Sequence, residues 1–252
     1  MQKILGYVRK ACQEFDMIQD GDRIAVGVSG GKDSLVLLAA LAGFRRFSEH
    51  QFTLTAISLD PQFGGKEGDY SPVADFCKQL DVPFDLVRTD IGAIVFDIRK
   101  EANPCSLCAK MRRGALHDAA VRSGCNKIAL GHHNDDVIET FIMNLFREGR
   151  IGCFAPVTYL SRKNLTMIRP LVFAPEQQVA SCCRRNGFEI VKSKCPADKT
   201  TVRQETKEWL AEMERKDNGF KQRMFGALRR SGVNGWGFRE EREEIDGSEA
   251  DC

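Results

Sequence analysis

The most constraining feature of the sequence is a β-branched run at residues 24–28 that leads through the glycine-containing loop 29–34 into a helical pattern ending near residue 47. The same alternation recurs along the chain. Further strands are predicted at residues 52–60, 84–89, 127–130 and 166–172, and helices at 71–80, 106–123 and 135–147. Strands that alternate with helices predict a parallel sheet covered on both faces. We therefore expect an α/β fold with a parallel, five-stranded, doubly wound sheet.

The length of 252 residues permits one large core, and the pattern divides the chain into three regions. Residues 1–175 are predicted to form the α/β domain. Residues 176–230 are predicted to form a helical region that packs on it, with helices near 176–186 and 202–215. Residues 231–252 contain glycines and an acidic cluster, so we expect a mobile acidic tail.

Composition excludes several classes of protein. Apolar residues make up 42% of the chain and charged residues 29%, which is typical of a globular protein and excludes collagen-like or wholly disordered chains. The longest nearly unbroken apolar run, residues 35–44, is much shorter than the roughly 20 residues of a membrane-spanning helix. Lys3, Arg9 and Lys10 interrupt the apolar residues of the N-terminal segment, unlike a signal peptide. We expect a cytoplasmic protein with no membrane contact.

Positive charge is concentrated near the C-terminus. Residues 184–230 hold thirteen Lys or Arg and seven Asp or Glu, whereas residues 239–252 hold two Arg and seven acids. A basic helical region of this kind suits a polyanionic partner. A solvated helical surface with mixed charges is the alternative, and composition alone leaves both open.

The loop at residues 29–34 has the sequence Ser-Gly-Gly-Lys-Asp-Ser and joins a strand to a helix. Backbone N–H groups and the positive end of the helix converge there, which favours a bound phosphate. The glycines allow close approach of an anion, Lys32 adds charge, and the hydroxyls of Ser29 and Ser34 add donors. The spacing matches neither the usual P-loop nor the dinucleotide-binding motif. A turn without a ligand is the alternative, and the agreement of all six residues favours phosphate binding.

A second motif, Gly-His-His-Asn-Asp-Asp-Val-Ile-Glu-Thr at residues 131–140, follows the fourth predicted strand. Asp135 and Asp136 open a helix, and Glu139 lies one turn further along on a shared side. Clustered carboxylates near a triphosphate suit Mg²⁺, which prefers oxygen ligands. Capping of the helix N-terminus by acids is the alternative reading.

Two of the ten cysteines form a Cys-x-x-Cys motif, Cys105 and Cys108, at the start of a predicted helix. The helix dipole and the nearby Arg112 are expected to lower the pKa of these thiols, and thiolates bind metals or react. The motif alone is compatible with a redox pair, half of a zinc site or part of an iron–sulfur site. Cys195, which precedes a proline, is the obvious downstream partner.

These motifs resemble a known family. The string SGGKDS after a first strand resembles the signature of the PP-loop ATP pyrophosphatases, which have a HUP-like (adenine nucleotide alpha hydrolase-like) fold and cleave ATP between its α and β phosphates. PCSLCAKMRRGAL, GHHNDDVIETFIMNLF, IRPL and a late Cys-Pro together are similar to the TtcA family of tRNA 2-thiocytidine synthetases, over roughly residues 1–210. Some members carry a second Cys-x-x-Cys at the late position, where this chain has Cys195-Pro-Ala-Asp198.

The resemblance implies an ATP-dependent tRNA sulfurtransferase. It implies that ATP and Mg²⁺ serve to adenylate O2 of a cytidine in the anticodon loop, and that a 4Fe-4S cluster held by Cys105, Cys108 and Cys195 supplies the sulfur. One alternative is the same chemistry on a uridine or another RNA site. The other is a nucleotide-binding iron–sulfur carrier or sensor without RNA chemistry. A sulfur donor such as a cysteine desulfurase and a homodimer are further expectations.

Roles follow from the resemblance and from the sheet edge where each motif lies. Expected catalytic residues are Lys32, Asp33, Asp136 and Arg112. Expected nucleotide- and Mg²⁺-binding residues are Ser29, Gly30, Gly31, Lys32, Asp33, Ser34, Ser58, Asp60, Gly131 and Asp135. Expected contacts to tRNA phosphates are Arg184, Arg185, Lys199, Arg203, Arg229 and Arg230.

Overall fold

A six-stranded sheet organises the protein in a computed structural model that describes residues 1–100, 104–191, 195 and 202–237. The strands are β1 (Asp22–Gly27), β2 (Phe52–Asp60), β3 (Phe84–Arg88), β4 (Lys127–Ala129), β5 (Val157–Leu160) and β6 (Leu165–Ile168). Their order across the sheet is β3-β2-β1-β4-β6-β5. All neighbouring pairs are parallel except β5 with β6. The α/β class and the five predicted parallel strands are confirmed.

The sixth strand, β5, is an antiparallel edge strand that the sequence analysis missed. It has four residues, and most of them are only half-buried, so it lacks the continuous apolar run of the inner strands. A short turn, Ser161–Lys163, connects it to β6, and Asn164 then adopts a left-handed φ of 49°. An edge strand made by a hairpin leaves a weaker pattern in the sequence than the buried strands do.

Eight α-helices are described. They are α1 (Gln2–Glu14), α2 (Lys32–Phe44), α3 (Ser71–Gln79), α4 (Pro104–Arg122), α5 (Asn134–Arg147), α6 (Glu176–Arg185), α7 (Val202–Lys216) and α8 (Phe220–Arg230). A π-helical segment, Ala93–Arg99, lies between β3 and α4. Within the described ranges, none of the helices combines the length and the apolar character that crossing a membrane requires.

Helix α2 is the most buried helix and fixes the loop that precedes it. Ten of its thirteen residues are buried, because its sequence is apolar on all sides. It packs against α1, α6 and the first two strands. The loop 29–31 therefore begins from a central strand and ends on a helix that is held on every side.

The strand order places a switch point between β1 and β4. The chain builds β2 and β3 on one side of β1 and then places β4 on the other, so the loops after β1 and β4 leave in opposite directions. Ligands of open α/β sheets bind in the crevice that such a divergence creates. Both the 29–34 loop and the 131–140 motif begin there.

The C-terminal helices cover one side of the α/β body. Helix α6 packs on α1 and α2, while α7 and α8 pack on α5. Residues 231–237, assigned above to a mobile tail, are in contact with the core instead: Trp236 is fully buried and its indole N–H donates to the Phe154 carbonyl at 2.9 Å. The glycines around Trp236 led to the prediction of a mobile segment, but the buried tryptophan anchors this segment to the core. The rest of the predicted tail lies outside the described residues, and the division into three regions stays a prediction.

Trp236 is expected to contribute strongly to stability. Its ring meets Phe15 and Phe225 edge-on, with centroids 5.9 and 5.5 Å apart. Trp236→Ala should lower the free energy of unfolding by about 3–5 kcal/mol, because it leaves a large cavity and an unpaired carbonyl. Trp209→Ala, at a site that is 37% exposed, is the matched control and should cost about 1 kcal/mol. If urea denaturation gives equal losses of unfolding free energy for the two variants, the anchoring role of Trp236 is contradicted.

Candidate active site

The 29–34 loop is shaped by glycine geometry and by its own serines. Gly30 has φ of 79°, and a Cβ added there would lie 2.7 Å from the Val191 Cβ, so only glycine fits. The Ser34 hydroxyl donates to the Gly31 carbonyl at 2.9 Å and accepts from the Ser29 N–H at 3.1 Å. The loop is thus held closed against the first turn of α2. Such a turn at a helix N-terminus is a site for an anion.

Lys32 is held between two carboxylates. Its Nζ lies 3.0 Å from Asp33 Oδ2 and 3.1 Å from Glu176 Oε1, and Glu176 also contacts Lys207 at 2.7 Å. Burial lowers the pKa of Lys32, but the two carboxylates outweigh burial and raise it. Burial raises the pKa of Glu176, yet the two lysines bring it down to about 2. Lys32 is therefore fully charged at neutral pH, and Glu176 sets the position of the charge.

Among the residues that the structure describes, one oxygen of Asp33 has no hydrogen-bond partner. Its Oδ1 is buried, and the nearest cationic or imidazole nitrogen found for it is His133 Nε2 at 3.6 Å, beyond hydrogen-bond length. His133 Nδ1 accepts from the Asp136 N–H at 3.3 Å, so a neutral His133 carries its proton on Nε2, towards Asp33. A buried carboxylate oxygen without a partner, on a residue that lines a cavity, is suited to a cation ligand.

The two adjacent acids of the 131–140 motif both form structural contacts. Asp135 accepts from the Glu176 N–H at 2.7 Å and pairs with Lys221 at 2.9 Å. Asp136 closes a capping box with the His133 N–H at 2.9 Å, and its other oxygen contacts Arg203 at 3.0 Å. Asp136 lines the cavity described below and Asp135 does not. The capping alternative holds for Asp136, and Asp135 braces three helices rather than facing a ligand.

Glu139 is the third acid of the motif and is almost fully buried, at 4% exposure. Burial first and then the neighbouring Asp136 raise its pKa to about 7, although Arg203 and Lys207 oppose the shift. Arg203 Nη1 lies 3.4 Å from its carboxylate. The acid cluster therefore holds a proton near neutral pH.

The main cavity has a volume of about 590 Å³, within the range of small-molecule sites. It lies between the carboxyl ends of the strands and α4, and its polar wall includes Ser29, Asp33, Asp136 and Arg112. Gly131 lies on this wall, where a Cβ would come 3.0 Å from the main chain of Asp33. The 29–34 loop and the 131–140 motif therefore pack closely at this wall, because Gly131 has no side chain to separate their main chains.

His132 and Arg169 form a second polar group in the main cavity. Arg169 Nε lies 3.3 Å from His132 Nδ1, and its guanidinium stacks 4.9 Å from the Phe154 ring centroid. Burial and then the charge of Arg169 lower the pKa of His132 to about 4, so its imidazole is neutral at physiological pH. Sequence analysis left His132 without a role, and Arg169 gave no signal beyond its place in the string IRPL.

A second cavity of about 470 Å³ lies on the other side of the loop and shares Ser29 and Arg112 with the first. Asp60 lines it, and its carboxylate accepts from the Gln62 and Gly68 N–H groups at 3.0 and 2.8 Å. Asp60 thus orders the loop that forms one wall. Ser58 is fully buried, donates to the Val28 carbonyl at 2.6 Å and lines neither cavity. Ser58 supports the sheet and does not face a ligand.

The cysteines of the motif begin α4, beside the shared wall. Cys105 is exposed, Cys108 is buried and Cys195 is half-buried. Burial first raises the pKa of Cys108; Arg112 opposes this, while Cys195 and Cys105 add to it. The expected lowering is therefore wrong for Cys108. The same interactions place the residue from the distant C-terminal segment within electrostatic reach of the motif.

The arrangement of the three thiols bears on the kind of metal centre they suit. A single metal ion draws its ligands to one centre at about 2.3 Å from each sulfur. In the part of the chain that the structure describes, no three His, Cys, Asp or Glu side chains converge in that way. Each thiolate of an iron–sulfur cluster binds its own iron, so cluster ligands stand further apart. Cys105 and Cys108, one turn apart at the start of α4, and Cys195 offer the thiolate ligands that an iron–sulfur cluster takes.

The described basic residues that are expected to contact RNA differ in exposure and in their partners. Arg184, Arg185 and Arg230 are exposed, and Lys199 lies outside the described residues. Arg203 contacts Asp136 and Glu139, and Arg229 pairs with Glu14 and stacks on Phe173. Arg203 and Arg229 thus already pair with internal acids, and the expected contacts of these residues with tRNA phosphates stay a prediction.

Comparisons with known proteins identify the family. A family model described as the PP-loop domain matches residues 5–212. The tRNA-cytidine(32) 2-sulfurtransferase of Geobacter sulfurreducens is 37% identical over 90% of this chain and 89% of its own length. The tRNA-cytidine(32) 2-sulfurtransferase of Pelobacter propionicus is 39% identical over 88% of this chain and 82% of its own length. The chain belongs to this family. The predicted resemblance to the tRNA 2-thiocytidine synthetases, within the PP-loop proteins, is thereby confirmed.

A solved structure from another branch supports the same family-level architecture. The U34-tRNA thiolase NcsA of Methanococcus maripaludis, solved with its 4Fe-4S cluster, superposes with a TM-score of 0.74 and 26% identity. The match covers 90% of this chain and 78% of NcsA. The tRNA-cytidine(32) 2-sulfurtransferase family and this thiolase therefore share the fold well beyond the loop motif.

The raised pKa of Glu139 predicts a pH-dependent stability. Because this pKa is higher in the folded chain than in the unfolded one, ionisation of Glu139 favours unfolding, and its contribution is lost as the pH rises through about 7. Glu139→Gln removes that ionisation. Relative to the unmodified protein, the variant should gain about 2 kcal/mol of unfolding free energy between about pH 5 and pH 8.

Urea denaturation at the two pH values measures the gain. Glu49→Gln, at an exposed position, is the control and should show no such trend. A difference between the Glu139 variant and the unmodified protein that stays constant with pH would show that Glu139 is ionised throughout.

Proposed function

We propose that this protein is an ATP-dependent tRNA sulfurtransferase that converts cytidine 32 of tRNA to 2-thiocytidine. The observation that carries the proposal is the shared wall of the two cavities. Ser29 of the 29–34 loop, here called the anion loop, and Arg112 of the cysteine-bearing helix line both cavities, so the ATP-binding motif and the helix that carries Cys105 and Cys108 border one space. Family membership supplies the reaction, and this juxtaposition supplies the place for it.

The anion loop binds the triphosphate of ATP and stabilises the departing pyrophosphate. O2 of a cytidine is a poor leaving group, and transfer of AMP from ATP to that oxygen makes it a good one. Pyrophosphate departs as the bond between the α and β phosphates breaks, and negative charge develops on the departing group. The loop N–H groups, Lys32 and the hydroxyls of Ser29 and Ser34 stabilise that charge. Glu176 positions Lys32 for this task.

Mg²⁺ fits the acidic side of the main cavity. Asp33 offers a carboxylate oxygen without a partner, and Asp136 lines the same cavity. These two residues would hold the ion, which lowers the charge of the ATP phosphates when bound. Arg203 occupies one oxygen of Asp136 and would leave it when the ion binds.

Cys105, Cys108 and Cys195 would hold a 4Fe-4S cluster. A cluster held by these three thiolates would have one iron without a protein ligand and would supply there a place to hold the incoming sulfur. Arg112 lies one helical turn beyond Cys108 and lines both cavities, which suits a contact with the α-phosphate of ATP. Gly131 and Asp60 shape the two cavities from opposite sides.

A uridine target is the second candidate, because the structural neighbour NcsA is a U34-tRNA thiolase. Mass spectrometry of nucleosides from tRNA treated with the enzyme distinguishes the two: 2-thiocytidine supports the first proposal and 2-thiouridine the second. A cysteine desulfurase as sulfur donor, a cytoplasmic location and a homodimer complete the proposal.

The cysteine roles are tested by anaerobic reconstitution with ATP, Mg²⁺, sulfide and tRNA. Cys105→Ala, Cys108→Ala and Cys195→Ala should each lose 2-thiocytidine formation by at least about 100-fold, because each removes a cluster ligand. They should retain ATP binding, since the loop is untouched. Cys77→Ala, at a buried site in α3, is the control and should stay active. An active Cys195 variant would remove that residue from the site.

The role of Lys32 is tested by pyrophosphate release in the presence of tRNA. Lys32→Ala should lower kcat by about 100-fold, because a charge that stabilises the departing pyrophosphate is lost. Lys78→Ala, on the exposed side of α3, should leave kcat unchanged. An unchanged kcat with a higher KM for ATP would instead assign Lys32 to ground-state binding alone.

A further inference from the structure

Most of the basic side chains of α7 and α8 form ion pairs with acids of the same protein. Arg203 pairs with Asp136 and Lys221 with Asp135, while Lys207 pairs with Glu176. Further pairs are Arg229 with Glu14, Lys216 with Glu212 and Arg223 with Asp217. The basic composition of this region therefore overstates the positive charge that it presents to a polyanion.

Helix α4 presents a different basic surface beside the main cavity. Lys110, Arg113 and His117 are spaced i, i+3 and i+7, so they lie on one side of the helix. That side adjoins the one that faces the cavity, where Arg112 and Leu116 lie, and Arg113 at the border between the two sides lines the cavity as well. Lys110 and Arg113 are exposed and form no ion pair with any described residue. Their charges are free to attract an anion.

The turn between β5 and β6 extends this surface. Lys163 lies 2.7 Å from Asp118 of α4, which brings the turn against the helix, and Arg162 beside it is exposed. The charges of Arg113 and Lys163 both act on His117, so the basic groups of the helix and the turn surround the same imidazole. Along α4, Lys110 and His117 are separated by about 10 Å. Asp118 also lies on this surface and offsets the charge of Lys163, so Lys110, Arg113 and Arg162 are its cations without an ion pair among the described residues.

We propose that Lys110, Arg113, His117, Arg162 and Lys163, here called the α4 basic edge, bind the backbone phosphates of the tRNA segment that carries the target base. This inference rests on the proposed function. Phosphate contacts of this kind set the position of a nucleic acid without reading its sequence. Because α4 also carries Arg112 and the cysteine pair, a backbone held on its outer side has the base directed to the cavity on its inner side.

Salt-dependent tRNA binding tests the proposal in the reconstituted, full-length protein. The variant Lys110→Gln/Arg162→Gln/Lys163→Gln removes three charges, none of which lines either cavity. Arg184→Gln/Arg185→Gln/Arg230→Gln removes three exposed charges from the C-terminal helices and is the matched control. Fluorescence anisotropy of labelled tRNA gives Kd over a range of salt concentrations, and 2-thiocytidine formation gives kcat and KM.

The α4-edge variant should raise Kd by about 10-fold or more at low salt and flatten the salt dependence by about two to three counterions. Its KM for tRNA should rise while kcat at saturating tRNA and the Kd for ATP stay unchanged. The control should change the Kd for tRNA less than about 2-fold. Unchanged binding by the α4-edge variant, or a larger loss in the control, would overturn the inference alone. If the unmodified protein neither binds nor thiolates tRNA, the proposed function falls with it.

Discussion

The burial of α2 is the constraint on which the site depends. A helix with ten of thirteen residues buried cannot shift without opening the core, so its first turn stays fixed at the end of β1. The anion loop is stretched over that turn, and Gly30 meets Val191 closely on its outer side. Main-chain N–H groups are thus oriented before a phosphate arrives. The loop loses little conformational freedom on binding, which favours both affinity and charge stabilisation in the reaction.

Electrostatics connects this rigid loop to the C-terminal helices. Lys32 touches Glu176 at the start of α6, and Glu176 touches Lys207 of α7. Asp135 and Asp136 receive Lys221 and Arg203 in the same way. Partly buried ion pairs contribute little net stability, but they specify which surfaces meet. These ion pairs therefore fix α7 and α8 against the ATP-binding body. Binding of Mg²⁺ and phosphate at Lys32 and Asp136 would redistribute these pairs.

Local patterns predicted much of this molecule, because the buried strands and the loop carry strong signals of their own. β2 and the anion loop follow from apolar runs and glycine placement within one short segment. Glu176 and Arg203 did not, since their roles arise from contacts with residues 144 and 67 positions away. Trp236 was likewise assigned to a glycine-rich tail, because its contacts are with residues that lie far away in the sequence. Asp135 and Ser58 were assigned to a ligand from their position at the sheet edge, but side-chain direction, which the sequence does not show, turns both towards the protein.

Helix α4 connects the thiols, the cavities and the basic edge, because neighbouring residues of the helix face each of them. With 3.6 residues per turn, Cys108 turns into the protein while Arg112 lines the cavities and Lys110 faces outward. A substrate that touches Lys110 on the outward face is therefore about one helix diameter, roughly 10 Å, from Cys108 on the inward face. Activation by ATP at the loop and delivery of sulfur at the cysteines need the base in the same cavity at successive steps. A single rigid helix that carries Cys105, Cys108, Arg112 and the helical part of the basic edge keeps those distances constant between the two steps.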